Sequence, residues 1–165
     1  MALALFTLSL AGTVVYGIAL AMGYGVPADP SWMRPHFLLA LLATLLLVMG
    51  HSFVMFFMIA TGVELKDLER EAGWGDSFRR RTIALKGRMF PAVTLALTLV
   101  IANFILGGGA HTRALPRWVH EGLAWATLVA ALVALRREHQ ALGENNRLIA
   151  EAASRREDTG RTPAA

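Results

Sequence analysis

The chain has 165 residues, 55% of them hydrophobic and 17% charged, with a formal net charge of +4 and no cysteine. A water-soluble domain of this length carries more polar surface, and the lack of cysteine excludes disulfides, thiolate metal sites and thiol redox chemistry. The basic residues lie beside apolar segments and no aromatic residues interleave with them, so they suit anionic lipid headgroups and not nucleic acid.

Four apolar runs follow in order. The first, residues 2–24, has no basic residue before it and is longer than a signal-peptide core, so it reads as a retained helix. A short loop, 25–35, holds Pro27, Pro30 and Pro35. The second run, 36–62, is the longest and tilts or projects into the headgroups. The third is 89–107 and the fourth 117–135, separated by a second short loop. At about 1.5 Å per residue each covers a hydrocarbon core of about 30 Å, and none shows the polar stripe of an amphipathic soluble helix. The expected fold is all-α: an integral membrane four-helix antiparallel bundle occupying residues 1–135.

The segments between and after the spans are charged. In the long loop, 63–88, residues 64–72 read as a polar continuation of the second helix, broken by Gly73 and Gly75. Residues 78–86, basic and partly apolar, are expected at the headgroup level. Residues 136–153 read as a helical extension of the fourth span. Leu135, Leu142 and Ile149 stand seven apart on it, a line that suits a helix resting on a partner. The composition of 154–165 points to disorder.

Of the 16 Lys and Arg residues, Lys66, Arg70, Arg79, Arg80, Arg81, Lys86 and Arg88 fall in the long loop. Arg136, Arg137, Arg147, Arg155, Arg156 and Arg161 fall in the tail, and only Arg34, Arg113 and Arg117 lie elsewhere. By the positive-inside rule the loop, the tail and both termini are cytoplasmic, in what reads as a bacterial inner membrane.

Soluble-enzyme motifs are absent: there is no P-loop, GxGxxG, HExxH or GxSxG. As the spans are drawn, no acidic or basic residue lies inside them except Arg117 and Glu121 near one end. That argues against ion-coupled transport, and no inverted repeat is visible. His51 is the exception among polar residues, about 22 Å along the second span from His36. A histidine at that depth is costly unless hydrogen-bonded or liganded. Depth matching offers Ser9 or Thr94 as its partner. His51, Met55 and Met58 share a helix face, and imidazole with thioether suits Cu(I) or haem iron; methionine is equally a common apolar filler. At the other end His36, His111 and His120 lie at one level, and His36 with His120 is the arrangement of a bis-histidine b-type haem. Interfacial histidines are also cheap, because water reaches them. Gly17, Ala21 and Gly25, and likewise Ala126, Ala130 and Ala134, are spaced for close helix approach.

The leading expectation is a non-enzymatic membrane subunit or accessory factor, in contact with the lipid bilayer and with another membrane subunit or a second copy. The alternatives are a protein binding b-type haem or quinone through its histidines, and a Cu(I)-handling protein.

Overall fold

A computed structural model describes residues 2–161, with side chains to 158. The described residues form four α-helices: α1 (Ala2–Gly23), α2 (Met33–Ala72), α3 (Ser77–His111) and α4 (Arg117–Arg161). A single 3-10 turn, Pro30–Trp32, precedes α2. Asp29 caps that turn by accepting from the Ser31 N–H at 2.9 Å. This backbone hydrogen bond holds the Asp29 carboxyl below the usual carboxylate range. All four helices are long and apolar enough to cross a membrane, and no strand occurs among the described residues. The chain is a four-helix membrane bundle.

α1 packs most closely on α2, and α3 on α4; α2 also meets α3 and α4, and α1 meets α4. The second hairpin repeats the first with a shift of 84 residues. Gly23, Gly25, His36, Leu39 and Ala40 become Gly107, Gly109, His120, Leu123 and Ala124. Burial follows the same shift. Ser9, Gly12, Tyr16 and Ala19 on α1 match Val93, Ala96, Val100 and Asn103 on α3. On α2, Ala43, Leu47, Gly50, His51, Val54, Met58 and Thr61 match Thr127, Ala131, Ala134, Leu135, Glu138, Leu142 and Asn145 on α4. Both hairpins start at the same end, so this is a parallel repeat and not an inverted one. Few identities survive between the halves, which hides the repeat from a reading of the sequence alone.

Small residues set the α1–α2 crossing, but not the predicted ones. A Cβ on Gly50 would lie 2.8 Å from the Ser9 backbone nitrogen, and one on Gly12 would lie 2.9 Å from that of Leu47. By contrast Gly17 has nothing within 4 Å, and Gly25 lies under the Trp32 ring. In the second predicted stripe Ala130 and Ala134 are buried, while Ala126 is exposed.

At the charged end three helices outrun α1 and pack together as a stalk. Residues 78–86 do not lie flat at the headgroup level. They form the first turns of α3, with Phe78, Thr82, Leu85 and Met89 buried at helical spacing. The expected helix over 64–72 is present as the end of α2, and it stops at Gly73 (φ 66°). α4 runs unbroken beyond Leu135. Its apolar line is Ala141, Leu142, Leu148 and Ala152, which join Leu65, Phe78 and Leu85 in one core. Leu135 and Leu142 are therefore covered by the chain itself and not by a partner, while Ile149 is exposed. Residues 154–161, expected to be disordered, continue the helix; 162–165 lie outside the described residues. Arg81 with Glu151 (2.7 Å) and Arg88 with Glu144 (3.1 Å) tie α3 to α4. Both pairs are exposed, so each contributes only about 0–1 kcal/mol and serves mainly to fix the register.

The α2–α3 turn is held by one buried residue. Glu69 accepts from the backbone N–H groups of Phe78 (2.6 Å) and Arg79 (2.8 Å), while its own carbonyl accepts from Gly73 and from Trp74. Those amides are the N2 and N3 donors that a cap residue normally satisfies. Asp76, at the cap position, makes no side-chain bond to them. Glu69→Ala is expected to cost about 2–3 kcal/mol, with faster amide exchange at Phe78 and Arg79. Glu69→Gln should cost less, since its one amide oxygen can still accept. Thermal unfolding with hydrogen exchange checks both.

Candidate functional site

Polar side chains occupy the bundle interior at three levels. The middle one is formed by His51 on α2 and Glu138 on α4. Both are buried, at 1% and 0% exposure, with His51 Nδ1 2.6 Å from Glu138 Oε1. His51 Nε2 and Glu138 Oε2 have no hydrogen-bond partner among the described residues. Two buried groups in one hydrogen bond share a proton, as imidazolium with carboxylate or as two neutral groups. In either form each retains one unmatched polar atom in an apolar interior. Next to the pair, Ser9 lies against Gly50, and its hydroxyl also lacks a partner.

This pairing overturns two expectations. His51 does not bond Ser9 or Thr94; Thr94 faces outward. A carboxylate does lie within the bundle. Arg136 and Arg137 seem to end the fourth apolar run at Leu135, but both are exposed while Glu138 turns inward. Long basic side chains on the outer face can extend to the membrane surface without ending the helix. The missed signal was spacing: Leu135, Glu138, Leu142 and Asn145 stand three and four apart, on one face.

Toward the charged end, Thr61 Oγ1 lies 3.2 Å from Asn145 Oδ1 and 2.9 Å from the Phe57 carbonyl, while Asn145 Nδ2 has no partner. Turning the Asn145 amide over lets Nδ2 donate to Thr61 as Thr61 donates to Phe57, and leaves the Asn145 Oδ1 as the atom without a partner among the described residues. Thr61 and Asn145 are repeat-equivalent. They lie seven residues from Val54 and Glu138, about 10 Å along the helices.

Toward the short-loop end, Asn103 Nδ2 donates to the Tyr16 hydroxyl (2.8 Å), which donates to the Ala124 carbonyl (3.2 Å). Beyond them, His36 Nδ1 is 2.9 Å from the Ala19 carbonyl. A carbonyl only accepts, so Nδ1 is the donor in this contact, and in a neutral ring Nε2 is the nitrogen with the lone pair. The ring rests on Gly23, with Cε1 3.1 Å from where a Cβ would stand. His120 repeats this seat on Gly107 at 3.0 Å, beside the Asn103 backbone, within electrostatic range of His36. Its Nδ1 makes no hydrogen bond of good geometry. His36 and His120 thus hold equivalent seats in the two hairpins, whereas His111 is exposed at the end of α3.

Of the proposed copper ligands, Met58 is buried and Met55 half-buried on the His51 face. His51 commits Nδ1 to Glu138, leaving Nε2 for any ligand. No group of three or more His, Cys, Asp or Glu side chains placed to hold a metal occurs among the described residues.

The repeat separates framework from site. His36 and His120 are identical across the two halves. At the middle level the halves differ: His51 is matched by Leu135, and Glu138 by Val54. Each half has placed one polar residue where the other keeps an apolar one, and the two meet inside the bundle. No protein-family model matches the chain, and no curated protein or solved structure matches it significantly.

Proposed function

We propose that this chain is a small, non-enzymatic membrane subunit that carries an exchangeable proton on His51 and Glu138. The observation behind this reading is the buried 2.6 Å contact between two ionisable groups, each with one unmatched polar atom. Ionisable residues inside a membrane bundle are expensive and mark ion or proton sites more often than packing sites. Ser9 lies against Gly50, the residue before His51, and its hydroxyl makes no hydrogen bond among the described residues.

Infrared spectra of the protein in lipid, recorded in acid and in alkaline buffer, test the exchange. The expected result is a carboxyl C=O band that changes between the two and is lost in Glu138→Gln. An unchanging spectrum would leave the pair a static packing element and sink the reading.

In this proposal the charged end faces the cytoplasm, in line with the clustering of basic residues there. Reporter fusions after Ala165 and within residues 73–77 should both report cytoplasm, and a periplasmic signal from either would reverse the orientation. As a subunit the chain works beside another membrane protein or a second copy. Native electrophoresis of mildly solubilised membranes should show it above its monomer mass.

A second reading, haem or quinone binding at the short-loop end, is favoured by one observation. The Nδ1 proton of His36 is held by a carbonyl, as in most metal-ligating histidines, which leaves Nε2 as a donor. Protein from its native membrane would then show a Soret band or bound quinone that His36→Gln and His120→Gln remove. Copper that is lost on substituting His51, Met55 and Met58 would favour the third reading instead.

A further inference from the structure

We propose that a groove along α3 binds one anionic phospholipid in the leaflet at the charged end. The groove, of about 750 Å³, is lined by Lys86, Gly87, Phe90, Pro91, Thr94 and Thr98 among others. The groove is shallow and open along its length, and its lining is mostly apolar. Lys86 and Arg88 precede an uncharged run of α3, residues 89–110, so Lys86 stands where the apolar part of that helix begins. From Lys86 to Thr98 is twelve residues, about 18 Å along the helix, against about 15 Å for the hydrocarbon of one leaflet. An acyl chain laid along Phe90, Pro91 and Thr94 therefore brings its phosphate to Lys86.

Two features at that end suit a phospholipid headgroup in particular. The Lys86 ammonium is half-buried against Gly62, 3.0 Å from where a Cβ would stand. It makes no hydrogen bond or ion pair among the described residues, whereas Arg81 and Arg88 nearby are each paired with a glutamate. An unpaired cation at the membrane boundary is complemented by a phosphate. Pro91 lies inside α3 and has no N–H, so the Gly87 carbonyl lacks its helical donor. Gly87 has open space where its Cβ would be, which keeps that wall of the groove free of side chain.

Native mass spectrometry of the full chain, titrated with phosphatidylglycerol and with phosphatidylcholine of the same acyl chains, tests the site. The expected result is one phosphatidylglycerol bound at least tenfold more tightly than phosphatidylcholine. Lys86→Gln should abolish that preference and Lys86→Arg should keep it. Gly87→Leu, on the open face where it disturbs no packing, should weaken both lipids by filling the groove. Arg113→Gln at the opposite end serves as the control and should change nothing. Equal binding of the two lipids to the wild type would overturn the proposal, as would a preference that survives Lys86→Gln or disappears with Arg79→Gln in its place.

Discussion

Removing the Glu138 carboxylate alone, as Glu138→Ala, is expected to destabilise the bundle by about 3–5 kcal/mol, because it strands the His51 imidazole in an apolar interior. His51→Ala should cost a similar amount by stranding the carboxylate. The repeat suggests a double variant with a different outcome. His51→Leu combined with Glu138→Val installs the residues that the other half holds at the equivalent positions, Leu135 and Val54, both of them buried there. Apolar replacement of a whole buried ion pair is commonly neutral or stabilising by about 1–4 kcal/mol, so this protein should unfold at or above the wild-type temperature. Thermal unfolding in lipid or detergent of the two single variants and the double gives the coupling energy directly. A stable double variant that has lost the titrating carboxyl band would separate the pair's function from its packing. If the single variants are as stable as the wild type, the pair is not held as the structure shows.

Gly50→Ala is expected to cost about 1–3 kcal/mol and Gly50→Leu considerably more. The Cβ of an alanine would lie 2.7 Å from Ser9 Oγ, 2.8 Å from its nitrogen and 2.9 Å from its Cα. Two of those atoms are backbone, so no rotamer change relieves the contact and α1 must move away from α2. The shift also displaces His51, the next residue along. Gly122→Ala is the control: it sits in helix α4 with nothing within 4 Å of the new methyl. It should be neutral or slightly stabilising, by up to about 1 kcal/mol, since glycine weakens a helix interior. Unfolding temperatures of the three variants check the contrast. In the second hairpin Ala134 stands at the position of Gly50, so the α1–α2 contact is where the repeat tolerates least.

The candidate site was half legible in the sequence. His51 stood out because a histidine inside an apolar run is rare, and His36 and His120 because both open spans at one level. Glu138 did not stand out, since Arg136 and Arg137 precede it and hydropathy averages the three together. Asn145 and Glu69 were hidden in segments that read as charged surface. In each case the deciding fact is the direction a side chain faces, and a window average discards it.

The number of spans, the charge difference between the two ends and the turn at Gly73 were legible in the sequence alone. All of these follow from local quantities: apolar length against the thickness of a bilayer, the placement of Lys and Arg, and glycine's access to positive φ. That Glu138 meets His51, that Glu69 caps α3, and that α2, α3 and α4 pack together beyond α1 emerged from the three-dimensional contacts. Those contacts depend on the rotation of each helix about its axis and on its axial offset from its neighbours. In a membrane almost every face of an apolar helix can meet lipid, so periodicity barely constrains the rotation. Close approach at Gly12 and Gly50 and the packing of Phe78, Leu85 and Leu148 fix both quantities, through contacts between residues far apart in the chain.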